Sequence, residues 1–172
     1  MTIIAETERL LLREMTEHDA ENAYNLNIDP EVLKFTGDEP FDSVDAAKEF
    51  LKAYKHYEQY GFGRWAVILK STGEYLGWCG LKYTPELDEF DLGYRLSKKH
   101  WGQGYATEAS IVALKLGFNQ FNMKQIVGRV MQGNTASSNV LKKVGMTFLE
   151  NREDDGEIEE IYRLAKNTFE AL

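Results

Sequence analysis

The stretch that decides the fold is Leu92-Gly93-Tyr94-Arg95-Leu96-Ser97-Lys98-Lys99-His100-Trp101-Gly102-Gln103-Gly104-Tyr105-Ala106-Thr107-Glu108-Ala109. It predicts a strand, a basic turn with two glycines, and the opening of a helix. A helix N-terminus presents unpaired N–H donors and a positive dipole end, so it suits a phosphate. Glycine lets the backbone bend and lets an anion approach closely. The alternative is an ordinary strand-to-helix turn, because glycine is the commonest turn residue.

Composition predicts one domain over residues 1–172, long enough to bury a sizeable core. The formal net charge of -8 argues against nucleic-acid binding, which depends on a basic surface. Cys79 is the single cysteine, which excludes an intrachain disulfide. No apolar run approaches the roughly 20 residues of a membrane span. Met1–Arg9 is acidic and unlike a secretory signal, so we expect a cytoplasmic protein with no membrane partner.

The hydrophobic pattern predicts a mixed sheet with helices on its faces. The order is strand, two helices, three strands, helix, strand, helix and two strands. Strands are predicted at residues 10–13, 64–69, 75–81, 89–96, 125–130, 146–149 and 158–164. Helices are predicted at residues 17–28, 42–60, 105–118 and 135–144, the third of them central and buried.

A second informative segment runs from Asn134 to Met146, where a strand again leads into a helix. Asn134 is a good N-cap, and Ser137 lies in the first turn of the predicted helix. In an open sheet, ligands collect where strands end and helices begin. Ordinary capping is the alternative for both residues.

Other catalytic classes fit the sequence poorly. A dinucleotide-binding turn needs a third glycine where this chain has Thr107, and an acidic residue at the end of the next strand. That strand ends at residues 130–133 without a carboxylate. The sequence patterns of the phosphate-binding P-loop and of the serine hydrolase elbow are absent. Three scattered histidines and one cysteine predict no metal site.

The two segments together resemble the acetyl-CoA-binding motifs of the GNAT superfamily of N-acetyltransferases. Lys99-His100-Trp101-Gly102-Gln103-Gly104 is similar to the pyrophosphate loop of that family. The string from Trp101 to Ala109, the opening Thr7-Glu8-Arg9-Leu10-Leu11-Leu12-Arg13 and the segment Asn134 to Gly145 resemble its ribosomal-protein Nα-acetyltransferase branch. The resemblance covers about residues 7–165. It implies a mixed α/β fold with a central, mostly antiparallel sheet of about seven strands and four helices on its faces.

The resemblance implies acetyl-CoA as co-substrate and no metal. Lys99 stands where Arg or Gln is usual, which keeps the charge but loses the planar hydrogen-bonding fork; backbone amides of the loop should carry most of the binding. The residues implied in acetyl-CoA binding are Leu96, Ser97, Lys99, Trp101, Gly102, Gln103, Gly104, Tyr105, Ala106, Thr107, Asn134, Ser137 and Lys143.

The chain departs from the family at one catalytic position. Many members carry a Tyr that protonates the leaving thiolate, and here that position is Leu141, which has no proton to donate. The branch suggests Ser137 as the substitute, either as an acid or as a group that positions the sulfur. Because a thiol has a pKa of about 8.5, its thiolate needs little help to leave.

The attacking amine must lose its proton, and a carboxylate is the expected base. Asp91 matches a position where the branch often has Glu, and Glu89 and Glu160 are alternatives. The competing interpretation of Asp91 is a solvated charge at a strand edge. Backbone N–H groups near Leu96 could stabilise the oxyanion. Glu108, in the first helical turn, is interpreted as structural because a carboxylate there favours the helix dipole.

The resemblance implies transfer of an acetyl group to a primary amine by direct attack in a ternary complex. The alternative is a non-catalytic CoA-binding or regulatory module of the same fold. Residues 28–41 and 151–156 are expected to line the acceptor side. Acidic residues in the second segment could draw a basic peptide N-terminus, a polyamine or an aminoglycoside. A monomer or a homodimer is expected.

Overall fold

A computed structural model describes residues 1–171; Leu172, the last residue of the predicted domain, lies outside the described residues. The described chain forms a sheet of eight strands, one more than the sequence predicts. The strands are β1 (Ile3–Glu6), β2 (Leu10–Glu14), β3 (Arg64–Leu69), β4 (Glu74–Thr84), β5 (Glu89–Leu96), β6 (Gln125–Met131), β7 (Thr147–Asp154) and β8 (Glu157–Ala165). Their order in the sheet is β1-β2-β3-β4-β5-β6-β8-β7. All neighbours are antiparallel except β5 and β6, which are parallel.

Short helices supplement the four that the sequence predicts. The helices are α1 (Ala20–Leu26), α2 (Pro30–Leu33), α3 (Val44–Ala53), α4 (His56–Tyr60), α5 (Tyr105–Lys115), α6 (Thr135–Lys143) and α7 (Lys166–Glu170). The prediction of a single helix over residues 42–60 is wrong. The structure has two helices there, α3 and α4, because the backbone of Tyr54 between them is extended (ψ 103°). Tyr54 instead turns its hydroxyl to the N–H of Arg64, at 2.8 Å, which ties this break to the sheet.

Near both ends of the chain, the strands are more extensive than the sequence predicts. Strand β1 was missed because two of its four residues are exposed, so its apolar pattern is weak. It pairs with β2 at the sheet edge. Strands β7 and β8 form a longer hairpin than predicted and are polar along most of β7, so hydrophobic periodicity gave little signal for them.

The helices lie on opposite faces of the sheet. Helix α5 contacts β2, β4 and β5, and its Ser110 hydroxyl lies 3.8 Å from the sulfur of Cys79 on β4. The neighbouring residue Trp78 therefore points to the other face, since side chains alternate along a strand. There Arg95 stacks on Trp78 and donates to Asn27, at the end of α1. We call these the α5 face and the α1 face.

The sheet splits between its two parallel strands. Strands β5 and β6 are in register at only two pairs, Asp91 with Val127 and Leu92 with Gly128. Beyond Leu92, strand β5 continues to Leu96 beside β4 alone, while β6 continues beside β8. The split is thus an opening at the C-terminal ends of two strands, each of which leads into a helix N-terminus.

Within residues 1–171, no helix is both long enough and apolar enough to cross a membrane.

Candidate active site

The turn after β5 is built around two left-handed glycines. Gly102 and Gly104 have φ angles of 72° and 81°, and Gly104 is the N-cap of α5. A Cβ at Gly102 would meet no atom within 4 Å. Glycine is therefore needed at this position for the backbone conformation and leaves open space over the turn. Trp101 ties the turn to the end of β5, because its indole N–H donates to the carbonyl of Leu96 at 2.8 Å.

The first turn of α5 offers amides for an anion. The N–H groups of Tyr105, Ala106 and Thr107 precede the first intrahelical bond, which Glu108 N–H makes to the carbonyl of Gly104 at 3.0 Å. These amides face the turn at the positive end of the helix dipole. The turn and the helix end therefore have a geometry that suits an anion, and phosphate binding there stays a prediction.

The turn between β1 and β2 braces this helix end. Arg9 donates to a carboxylate oxygen of Glu108 at 2.7 Å and to the carbonyl of Gln103 at 3.0 Å. The Thr7 hydroxyl and the Arg9 N–H also donate to Glu108. Burial alone would raise the pKa of Glu108, but these hydrogen bonds outweigh it and hold the pKa below its usual value. The structural interpretation of Glu108 is confirmed.

Lys99 does not present a free charge to the turn. Its ammonium group forms an ion pair with Glu74, the first residue of β4. The imidazole of His100 also lies beside this carboxylate, at 3.4 Å. Lys99 can therefore contribute its backbone to the turn more readily than its side chain. Arg9 also brings a basic side chain to the turn, where it donates to the carbonyl of Gln103, and the sequence prediction did not include it.

An open cleft of about 610 Å³ adjoins the turn. It brings together three of the residues predicted to bind acetyl-CoA, namely Gly104, Thr107 and Lys143. Lys143 comes from the C-terminal end of α6, nearly forty residues after the turn. Lys115 of α5 lines the same cleft and adds a second positive charge. Glu6, Glu8 and Glu108 line the cleft as well, so the helix N-terminus, and not the net charge of the lining, favours an anion here.

The exposed edge of β5 faces the split. The N–H of Ser97 donates to Leu76 of β4 at 2.9 Å, so odd-numbered residues here point their amides towards β4. Alternation then points the amides of Tyr94 and Leu96 the other way, into the split. These two donors could hold the carbonyl oxygen of a bound thioester and the oxyanion that forms from it.

Helix α6 places Ser137 on the α5 face of the split. Asn134 caps the helix by accepting from the N–H of Ser137 at 3.3 Å. The Ser137 hydroxyl lies 2.8 Å from the hydroxyl of Tyr94, a contact that the sequence did not indicate. Leu141, one turn further along, is buried against Gly128 and belongs to the core.

The candidate bases lie in three different surroundings. Asp91 is 7% exposed and one of its carboxylate oxygens accepts from Arg64 at 2.5 Å, so the interpretation as a solvated edge charge is wrong. Glu89, on the same face of β5, accepts from Arg129 at 3.1 Å and from Arg152 at 2.7 Å. Glu160 pairs with Val130 in register and therefore lies on the α5 face, where Tyr162 donates to it at 3.4 Å.

Across the described chain, no group of three His, Cys, Asp or Glu side chains is placed to hold a metal ion.

The sequence model described as Acetyltransferase (GNAT) domain matches residues 9–147, most of the chain. The chain belongs to the GNAT acetyltransferase family. The N-acetyltransferase p20 of Bacillus licheniformis is 34% identical over 140 residues, which cover 80% of this chain and 79% of that protein. The FsC-acetyl coenzyme A-N(2)-transacetylase of Aspergillus fumigatus is 30% identical over 164 residues, covering 87% and 69% of the two chains.

Solved structures share the fold of this acetyltransferase. A GNAT-family acetyltransferase from Bacillus anthracis superimposes with a TM-score of 0.81 at 25% identity, covering 97% of this chain and 99% of the other. The ribosomal-protein-S5-alanine acetyltransferase from Vibrio fischeri has a TM-score of 0.82 at 16% identity and covers 97% and 98%. The mixed, mostly antiparallel sheet that the sequence predicts is confirmed. Acetyl transfer is the activity of the family.

Proposed function

We propose that this acetyltransferase transfers the acetyl group of acetyl-CoA to a primary amine by direct attack in a ternary complex. The observation that carries the proposal is the meeting of three features at the split. These are the open amides of β5, the glycine turn that opens α5, and the Ser137 hydroxyl on α6. Together they offer sites for a pyrophosphate, a carbonyl oxygen and a sulfur along one path.

The residues present fit acetyl-CoA. The open space over Gly102 and the free amides of the first turn of α5 suit the pyrophosphate, and the lysines of the cleft suit further phosphate. The thioester supplies an activated acetyl group with a good leaving thiolate. The amides of Tyr94 and Leu96 then stabilise negative charge on the carbonyl oxygen. Ser137 contacts the departing sulfur.

We propose Asp91 as the base that receives the proton of the attacking amine. It lies where the split begins, on the α1 face, and Arg64 engages only its Oδ1 atom. The second carboxylate oxygen, Oδ2, can accept a proton directly or through water. Glu89 and Glu160 remain the alternatives.

Two acidic segments favour a cationic acceptor. The first wall, residues 28–42, carries five carboxylates and one lysine. The second wall, residues 150–160, carries seven carboxylates and one arginine. Their combined formal charge of -10 exceeds that of the whole chain, which is -8, so the rest of the molecule is net positive. A polyamine, an aminoglycoside or a basic peptide N-terminus has the complementary charge.

Both walls meet the same end of the sheet. Phe35 of the first wall approaches Gly133, directly after β6, and the N–H of Gln132 donates to Ile158 of the second wall at 2.9 Å. Arg152 of the second wall reaches across to Glu89 on β5, although β6 and β8 lie between their strands. The sheet therefore curls, and the hairpin of β7 and β8 folds over the α1 face beside the split.

The test is a panel of amines screened for acetyl-CoA-dependent release of free thiol. The panel should include spermidine, an aminoglycoside, peptides with basic and neutral first residues, and a neutral amine. Thiol release and an acetylated product with a cationic member are the expected result. In parallel, CoA at 100 times its dissociation constant should stabilise the fold by about 2.7 kcal/mol. Stabilisation by CoA without turnover on any amine would favour the non-catalytic CoA-binding module instead.

A further inference from the structure

Tyr94 and Ser137 form a hydroxyl pair across the split. Tyr94 lies on β5, two residues beyond the last paired position with β6, and Ser137 lies in the first turn of α6. The Tyr94 hydroxyl lies 2.8 Å from the Ser137 hydroxyl. It also lies 2.9 Å from the Ser137 backbone carbonyl, to which it can donate. One phenol therefore has two possible acceptors on the same residue.

The phenol has one proton to donate, and the oxygen that receives it decides whether the Ser137 hydroxyl can bind a ligand. If Tyr94 donates to the backbone carbonyl, Ser137 can give its own proton to the phenol oxygen, and its hydroxyl is then unavailable to a ligand. If Tyr94 donates to the Ser137 oxygen, the Ser137 proton is free to point elsewhere. Burial raises the pKa of Tyr94, so the phenol keeps its proton and remains a donor.

In the structure the phenol lies within donating distance of the Ser137 carbonyl. An anionic thiolate is a stronger acceptor for the Ser137 proton than the neutral phenol oxygen, so formation of the thiolate favours the second arrangement. We infer that Tyr94 is a positioning residue that then donates to the Ser137 oxygen and directs the Ser137 hydroxyl proton towards the sulfur of the leaving thiolate. The inference rests on the proposed function and adds a residue to it. Tyr94 touches neither reacting atom and acts through Ser137. Strand β5 supplies the phenol and helix α6 supplies the serine, from opposite sides of the split.

The chemical step balances without proton transfer from either hydroxyl. The amine nitrogen forms a bond to the acetyl carbon, the carbon–sulfur bond breaks, and its electron pair stays on sulfur. The nitrogen proton goes to the carboxylate base. A serine hydroxyl is a far weaker acid than a thiol of pKa about 8.5. The Ser137 proton therefore only hydrogen-bonds the thiolate, which solvent protonates later.

The first test measures the pKa of the thiol of bound CoA. The ultraviolet absorbance of the thiolate reports the ionised fraction during a pH titration. A directed donor stabilises the thiolate and lowers this pKa. Tyr94→Phe removes only the phenol oxygen, so it should raise the bound thiol pKa by about half a unit to one unit, the equivalent of one neutral hydrogen bond. This measurement needs no acceptor amine.

The second test is a double-mutant cycle on turnover. Tyr94→Phe should lower kcat about fivefold to tenfold while KM and the dissociation constant of CoA stay within about twofold. In the Ser137→Ala background the same substitution should have no further effect, because Tyr94 acts through Ser137. Tyr75→Phe is the matched control, since it also removes a buried phenol oxygen, one whose contact is the sulfur of Met15 at 3.9 Å.

The possible failures are distinguishable. An unchanged thiol pKa in Tyr94→Phe would overturn the inference. A full Tyr94→Phe effect in the Ser137→Ala background would also overturn it, because Tyr94 would then act by another route. A chain that binds CoA and acetylates no amine would overturn the proposed function instead, with the thiol titration still reporting on the pair.

Discussion

Gly104 shows at the scale of one residue how backbone conformation shapes the proposed phosphate site. Its φ of 81° is left-handed, and the Cβ of any other residue would lie 3.4 Å from the Arg9 guanidinium. The same position thus combines a conformational need for glycine with a need for space.

Gly104→Val should abolish CoA binding at modest cost to the fold. The β-branched side chain is strained at this φ and occupies the approach to the turn. Calorimetry with CoA is the measurement, on a variant checked by circular dichroism. Gly73→Val is a matched control, because Gly73 has a φ of 75° in open space but lies in the hairpin between β3 and β4. Equal CoA affinity in both variants would place the phosphate site elsewhere.

A substitution of Asp91 tests its proposed role as the base. Asp91→Asn should remove the limb of the pH–rate profile that rises with pH and lower turnover about 10²-fold to 10⁴-fold. Because it also weakens a buried contact with Arg64, we expect a loss of about 2 kcal/mol in stability. Rates should be measured well below the melting temperature of the variant. A merely structural role would lower the melting temperature and leave the pH profile unchanged.

Glu89→Gln and Glu160→Gln are the comparison variants for this assignment. If Asp91→Asn stays within threefold of the wild-type rate at every pH, the variant that does lose the rising limb identifies the base. Loss of the limb in none of the three would assign the proton to bulk solvent.

At the scale of an element, α5 depends on a turn far away in sequence. Thr7 and Arg9 converge on Glu108, roughly a hundred residues later, and hold the helix end that we propose as the phosphate site. The carboxylate also lies in the first helical turn, where it complements the dipole. The opening Thr7-Glu8-Arg9 string therefore supports the site without being part of the glycine turn.

Glu108→Gln should destabilise the fold at neutral pH by about 1–2 kcal/mol, because it weakens hydrogen bonds to a charged acceptor. The lowered pKa of Glu108 sets the pH dependence. A carboxyl group with a depressed pKa stabilises the fold above its unfolded pKa of about 4.3, and this contribution fades as pH falls through the folded value. Denaturant titrations at pH 7 and pH 3 should show the difference from wild type shrinking on acidification. Glu58→Gln, in an exposed pair with Lys55, should change stability little at either pH.

At the scale of the whole molecule, charge is unevenly distributed. The two walls carry a combined formal charge of -10, against -8 for the whole chain, so the rest of the molecule is net positive. The cleft beside the turn has a mixed lining, with Lys115 and Lys143 beside Glu6, Glu8 and Glu108. The proposed acceptor would therefore meet the part of the chain where negative charge is concentrated.

Neutralising the tip of the second wall tests this distribution. The triple variant Asp154→Asn, Asp155→Asn and Glu157→Gln should raise KM for a polycationic amine several-fold, more at low salt than at high salt, and leave KM for acetyl-CoA unchanged. The control is Glu21→Gln, Glu49→Gln and Glu86→Gln, which changes the net charge equally at positions outside both walls. Equal KM values for the two triple variants would contradict a role of the walls in acceptor binding.

The sequence by itself determined the local elements of this protein. Alternation of apolar residues located β2 to β6, and the glycine turn, Asn134 and Gly145 marked where helices begin and end. These features depend on near neighbours in the chain, so they can be deduced from short stretches. The motif of the turn also pointed to the family, which the comparisons confirm.

Only the tertiary structure decided which side chains meet. The pairs Arg64 with Asp91, Arg9 with Glu108 and Tyr94 with Ser137 join residues between 27 and 99 positions apart. No local pattern encodes such contacts, because each depends on strand order, on the split between β5 and β6 and on the curl of the sheet. A carboxylate that looked solvated in the sequence thus became a buried ion pair, and a strand tyrosine came to lie against the serine of a distant helix.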